Sequence, residues 1–136
     1  MIKVDRSIYL GNEELFTMKK IGFLASRKIS TLFVLPTYDW AVEVSKQKDI
    51  VVVSGFHSPM ERDVLKILLR GECGIIIVLA RGMYRKLPKQ YEKAMEQNRL
   101  LIISNEKESV TRVSEISAHK RNKYVEEISD EMKRIG

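Results

Sequence analysis

The thirty-one residues from Asp49 to Leu79, D-IVVVSGFHSPMERDVLKILLRGECGIIIVL, constrain the fold more than any other stretch of this chain. Ile50–Val53 is an apolar, β-branched run too short for a helix, and Ser54-Gly55 ends it. Ser58-Pro59 reads as an N-cap followed by proline at the first helical position, where the missing N–H costs nothing. Met60, Val64 and Leu68 then recur four apart, and Leu65 and Leu69 widen the stripe. Glu61 and Asp63 in the first turn and Arg70 in the last match the helix dipole, and Gly71 supplies the stop. Ile75–Leu79 is a second apolar run. Two strands apolar on both faces, joined by an amphipathic helix, predict a right-handed βαβ unit in a covered parallel sheet.

At 136 residues the chain has the size of one domain, with room for a sizeable core. No apolar stretch reaches membrane-spanning length, and Met1–Val4 has a charge pattern unlike a signal peptide, so a cytoplasmic location without membrane contact is expected. The single Cys73 precedes an apolar strand and reads as a buried thiol. Lys and Arg number 24 against 18 Asp and Glu, an excess compatible with a polyanionic partner but not diagnostic of one.

Around the central unit, Ile2–Val4 and Ser7–Leu10 read as short extended segments, and residues 1–18 as an N-terminal extension. Ile21–Leu24 reads as the first strand of the sheet, with a helix following from near Thr37, placed there by Pro36. Pro88 opens a short helix through Glu96, and Leu100–Ile103 is a fourth strand. Val125, Ile128, Met132 and Ile135 keep helical spacing, which predicts an amphipathic helix over 117–134. The expected fold is a single α/β domain: a three-layer, Rossmann-like open sheet of about four mainly parallel strands flanked by helices.

Each predicted strand ends in small or polar residues: Ser26-Arg27, Ser54-Gly55, Arg81-Gly82 and Ser104-Asn105. In a parallel sheet these ends share one edge, where open α/β sheets bind their ligands. Such a crevice suits a phosphate; equally, polar turns end the strands of any α/β protein. Arg81, Arg85, Lys86, Lys89, Lys93 and Arg99, interleaved with Tyr84 and Tyr91, form a surface able to neutralise phosphates and stack bases, or a solvated face with inward-packed tyrosines. Arg112 and His119–Lys123 form a second basic cluster. His57 reads as a solvated loop residue. His57, Cys73 and His119 lack metal-site spacing, and no nucleophile elbow, Walker A or dinucleotide fingerprint occurs, so no catalytic residue, metal or cofactor is assigned.

Several segments together resemble the DNA-processing protein A family (DprA/Smf). They are Tyr9-Leu10-Gly11-Asn12, Lys20–Lys28, Val53-Ser54-Gly55, Val78–Met83, Leu87-Pro88, Leu101–Ser104 and Arg121-Asn122-Lys123, in order from about Tyr9 to Asp130. The resemblance implies an extended Rossmann-like fold, single-stranded DNA binding, dimer formation and loading of the RecA recombinase in natural transformation. It maps the family's glycine-Ser/Thr-arginine motif to Ala25-Ser26-Arg27, making Arg27 the first choice for a phosphate contact with Ser26 beside it. It also maps the family's Ser-Gly to Ser54 and Gly55, the last glycine of its third-strand turn to Gly82, and its Arg-Asn pair to Arg121 and Asn122. The departures are specific. The family's Gly-Ile-Asp-x-x-Ala-His is Pro59–Leu65 here, the turn glycines become Ala25 and Ala80, and threonine or serine becomes Arg81. An added Cβ limits how closely backbone approaches a phosphate. No counterpart of the family's later strand, Ser-Gly-rich turn or winged helix is expected.

The leading expectation is a non-enzymatic domain of DNA processing and recombination that binds single-stranded DNA through its strand-end edge. The expected phosphate contacts are Ser26, Arg27, Ser54, Gly55, Arg81, Gly82, Arg121 and Asn122, with Tyr84, Arg85, Lys86 and Lys89 as the nucleic-acid surface. The alternative is a binder or sensor of a small nucleotide-like ligand in the same crevice. A nucleotide N-glycosidase is disfavoured, because its Pro-Gly-Gly-x-Gly-Thr-x-x-Glu sequence is absent. A protein–protein module, with self-association covering a sheet edge, is the fourth reading.

Overall fold

The computed structural model describes residues 7–136; the expected Ile2–Val4 segment lies outside them. The central unit forms as its sequence predicts. Strand β3 (Ile50–Ser54), helix α2 (Pro59–Leu69) and strand β4 (Gly74–Leu79) follow one another, with β3 and β4 paired in parallel. Both strands are buried along their whole length, which their uninterrupted β-branched content requires.

On one side β4 pairs in parallel with β5 (Leu100–Ser104), which pairs antiparallel with β1 (Ile8–Gly11). On the other, β3 pairs in parallel with β2 (Lys19–Ala25), and β2 with β6 (Glu131–Ile135). The sheet is six-stranded, ordered β1-β5-β4-β3-β2-β6, two strands more than the four expected.

Of the two extra strands, β1 falls on the expected extended segment Ser7–Leu10, whose place in the sheet was not expected, and β6 lies where a helix was expected. The N-terminal segment is not an appendage: β1 closes one edge, and the 3₁₀ turn Glu13–Thr17 buries Leu15 and Phe16. Helix α4 ends at Ile128 rather than continuing to 134, and a further strand follows it. Ser129 is already extended, with its hydroxyl donating back to the Val125 carbonyl at 2.6 Å. Asp130 then locks onto Lys20: the Lys20 N–H donates to its carboxylate at 2.7 Å, and the Asp130 N–H to the Lys20 carbonyl at 2.8 Å. The open backbone edge of β2 decides this segment, a long-range partner that outweighs local helical spacing.

Alternate residues of each strand enter two cores. Phe23, Val52, Ile75, Ile77, Leu100 and Ile102 face α1 (Val34–Ser45), α2 and α3 (Glu92–Glu96). Val51, Val53, Ile76, Val78, Leu101 and Ile103 face Leu15, Phe16 and α4 (Glu115–Ile128), whose Tyr124, Val125 and Ile128 pack down on them. The result is the expected three-layer α/β sandwich. Each fully buried Ile, Leu or Val contributes about 1.5–3 kcal/mol relative to exposure, so the two cores carry most of the fold's stability. α1 begins at Val34, with Pro36 inside its first turn instead of before it, preceded by a 3₁₀ turn over Thr31–Phe33.

Two side groups act differently from their sequence reading. Gly71 follows α2 without a left-handed φ; it is needed because a Cβ there would stand 2.5 Å from the Ser45 carbonyl oxygen. Arg99, expected on a nucleic-acid surface, instead closes the C-terminal end of α2. Its guanidinium donates to the carbonyls of Leu68, Leu69 and Cys73 at 3.3, 2.9 and 2.8 Å, satisfying acceptors that the helix end leaves free.

Candidate nucleic-acid interface

Because β2 to β5 are mutually parallel, their C-terminal ends emerge along one edge. The first half of α4, which follows the loop leaving β5, lies over that edge and brings Arg121 to Gly55 and to the cavity at Leu79, with Asn122 bonded to Arg121.

The centre of the edge is occupied by a carboxylate of the chain itself. Ser58 and Glu61 form a capping box, and Glu61 is only 4% exposed. Its Oε1 accepts the N–H groups of His57 and Ser58 at 2.9 and 3.2 Å, and its Oε2 accepts the Ala25 N–H at 3.0 Å. These are the backbone donors that a bound phosphate takes in open strand-end crevices. Here they are already satisfied. The first-turn position of Glu61 therefore does more than complement a helix dipole: it ties α2 to β2. Asp63 is engaged as well, accepting the Tyr38 hydroxyl at 2.9 Å.

The loop between β3 and α2 is tightly held. Ser54, fully buried, accepts the Phe56 N–H on its hydroxyl at 3.0 Å, and Phe56 adopts a left-handed φ of 49°. Gly55 has no room for a side chain, because the Arg121 guanidinium lies against its Cα; a Cβ would be 2.5 Å from Nε and closer still to Cζ. Arg121 is 7% exposed. Burial draws its pKa down while the Glu61 carboxylate holds it up, and a guanidinium so placed stays cationic. Among the described residues its one hydrogen bond runs from Nε to Asn122 Oδ1 at 2.7 Å. Beside it a cavity of about 390 Å³ opens between the ends of β4 and β5 and α4, floored by Val78 and Leu79 and walled by Asn105, Lys120, Lys123 and Tyr124. Glu106 and Glu127 also reach this wall.

The remaining expected residues separate into bound and free groups. Gly82 packs under the loop leaving β5, where a Cβ would meet the Lys107 carbonyl at 2.6 Å, and its N–H donates to Val110. Ser54 and Gly82 thus serve the turns. Arg81 folds back: Nε donates to the Gly82 carbonyl at 3.2 Å and the guanidinium lies 5.2 Å from the Tyr84 ring centre. Tyr84 packs beside Tyr91, their centroids 6.4 Å apart, and burial pushes its phenol up to about 12. Arg85 pairs with Glu108 at 3.6 Å, both exposed. Ser26 is exposed and donates to the Gly136 carbonyl. By contrast Arg27, Lys28, Lys86, Lys89, Lys120 and Lys123 are exposed cations with no hydrogen bond or ion pair among the described residues. The imidazole of His57 lies near Arg121 and Arg27; burial first, then those two charges, lowers its pKa. Spacing does not show Glu61 as the group that fills the crevice; the capping-box pattern Ser-x-x-Glu was its visible signal.

Among the described residues no group of His, Cys, Asp or Glu side chains is arranged to hold a metal, and no helix is long and apolar enough to cross a membrane.

A sheet of five parallel strands with one antiparallel edge strand, held between two layers of helices, is a Rossmann-like architecture. Within that class, the sequence model of DNA recombination-mediator protein A matches residues 7–132, and the chain belongs to this family. Comparison with curated proteins returns no match. Among solved structures, DNA processing protein A (DprA) of Streptococcus pneumoniae superposes with a TM-score of 0.70 at 17% identity, over 95% of this chain and 45% of that one. DNA processing protein A of Helicobacter pylori, described for its single-stranded DNA binding mode, superposes with a TM-score of 0.71 at 18% identity, over 94% of this chain and 59% of that one. The chain spans about half the length of these relatives.

Proposed function

We propose that this domain binds single-stranded nucleic acid, DNA in the first place, along its strand-end edge, and acts without catalysis in DNA processing or recombination, of which natural transformation is one setting. The observation that carries this reading is that the buried Arg121 shares its cavity with the unpaired Lys120 and Lys123 and stands with Arg27 about His57, while Lys28, Lys86 and Lys89 add unpaired cations on the loops that leave β2 and β4. With Glu61 holding the central N–H groups, side-chain cations rather than a backbone cradle meet the phosphates. Binding of this kind is diffuse, strongly salt-dependent and tolerant of sequence. The single-stranded DNA binding described for the Helicobacter pylori relative supports the choice of strand. Anisotropy titration of a labelled oligonucleotide tests it: affinity falls steeply with salt and drops with Arg27→Ala, and absence of binding at low salt refutes the reading.

The second reading is a small nucleotide-like ligand in the 390 Å³ cavity beside Arg121 and Tyr124. A thermal-shift panel of nucleotides separates the two, since a specific ligand raises Tm with concentration above its Kd and an unspecific polyanion site does not discriminate among them. Self-association as a homodimer is part of the proposal, supported by Leu32, Phe33 and Leu35, exposed side by side at 80, 48 and 70%. Light scattering showing a strict monomer removes that part alone. A cytoplasmic site of action follows from the proposed substrate.

A further inference from the structure

We propose that the groove between α2 and α3 is a second seat for the backbone of single-stranded nucleic acid, continuous with the strand-end edge. This deepens the function proposed above and rests on it. The groove encloses about 420 Å³. Arg62, Lys66 and Arg70 line one wall and Lys93 of α3 faces them. The first three are spaced four residues apart on one helix, so they share a face and climb about 6 Å per step. That row of charges runs for about 12 Å at intervals an extended phosphate backbone can follow.

All four side chains are exposed, and none has a hydrogen bond or ion pair among the described residues. No carboxylate lines the groove. Of the acids on or beside α2, Glu61 is committed to Ala25, Asp63 to Tyr38 and Glu72 to Lys48; Glu92 and Glu96 of α3 flank Lys93 but do not line the groove. Cations lining one groove with no carboxylate among them repel one another, a cost that a bound polyanion removes. Between them the floor is apolar, built from Leu65, Leu69 and Ala94, and offers a dry surface to sugars and bases.

The groove is joined to the edge at its upper end. Phe56, two residues past β3, lies in its lining, and Arg62, in the first turn of α2, acts on His57 together with Arg27 and Arg121. A strand crossing the edge can therefore continue down α2 without leaving positive potential. A short oligonucleotide fills the edge alone, whereas a longer one reaches the groove.

The test uses the full chain with labelled oligothymidylates of about 4 and about 16 nucleotides, the span of typical single-strand site sizes. Lys66→Gln/Arg70→Gln/Lys93→Gln is compared with wild type and with the charge-preserving Lys66→Arg/Lys93→Arg. The neutral variant is expected to lose at least tenfold in affinity for the longer strand at low salt. The slope of log affinity against log salt should fall by about 2, at about 0.7 per phosphate contact removed. Affinity for the short strand is unchanged, and the charge-preserving variant matches wild type. Unchanged affinity and slope for the long strand in the neutral variant, with Arg27→Ala still weakening binding, overturns the groove while leaving the edge standing. Failure of the wild-type chain to bind either strand overturns both, and poly-glutamate binding in that case reassigns the groove to an acidic protein partner.

Discussion

Glu61 on α2 and Ala25 at the end of β2 are joined by a hydrogen bond of 3.0 Å from the Ala25 N–H to the Glu61 carboxylate. With the bonds from His57 and Ser58, one buried side chain satisfies three backbone donors at the place where this class of sheet opens to ligands. Glu61→Ala leaves those donors unpaired and is expected to destabilise the domain by about 3 kcal/mol or more, read as a lowered urea midpoint. The same variant frees an anion cradle. Phosphate should therefore raise the Tm of Glu61→Ala more than that of wild type, and an equal rise in both would show that the cradle is not re-formed.

Arg121 against Gly55 is a packing relationship as well as an electrostatic one. Gly55→Ala forces the guanidinium away and is expected to cost about 1–3 kcal/mol. In an Arg121→Ser background the same change should be nearly neutral, because the obstructing side chain is gone. A double-mutant cycle by chemical denaturation measures this coupling; additive effects would mean that the Gly55 backbone, not Arg121, sets the cost.

Arg99 belongs to the fold rather than to the interface. Arg99→Ala removes two hydrogen bonds to the end of α2 and one to the Cys73 carbonyl in the turn beyond it, and should lower stability by about 2 kcal/mol. Oligonucleotide affinity and its salt slope should not change, in contrast to Arg27→Ala. A reduced slope in Arg99→Ala would return this residue to the binding surface.

Asp130 anchors β6, and its pH dependence has a definite sign. Its carboxyl is held below the ordinary aspartate range, chiefly by the Lys20 N–H and then by the Lys20 charge. The unfolded chain therefore binds the proton first as pH falls below about 3.9, so stability rises with pH through this window and is lost on acidification. Asp130→Asn should flatten that acid limb and cost about 1 kcal/mol at neutral pH, measured by urea melts between pH 2.5 and 7.

Cys73 is fully buried, and burial pushes its thiol up to about 11 despite the opposing charge of Arg99. A disulfide reagent at pH 8 should modify it no faster than the domain unfolds. Rapid labelling of the native protein would mean that the α2–β4 turn opens locally.

The central βαβ unit, the placement of α3 after Pro88 and the strand-end edge were legible from the sequence because their causes are local. β-branched runs, a Ser-Pro cap and apolar periodicity act within a few residues. The extended character of Ser7–Leu10 was legible too, but its place at the sheet edge and the C-terminal strand were not, because each answers to a partner far along the chain. β1 is extended on account of β5, and Glu131–Ile135 leaves helical register because β2 offers an unfilled backbone edge while Asp130 finds Lys20. The site divides in the same way. The cations at 27, 86, 89, 120 and 123, on the loops that follow the strands and on α4, are read from the sequence itself. The Ser-x-x-Glu pattern announces the local bonds of Glu61, but tertiary structure alone decided that Glu61 also takes the Ala25 N–H, that Arg121 is buried on Gly55, and that Arg99 is spent on a helix end. Hydrogen-bond satisfaction between groups far apart in the chain is a property of packing geometry, which no local spacing encodes.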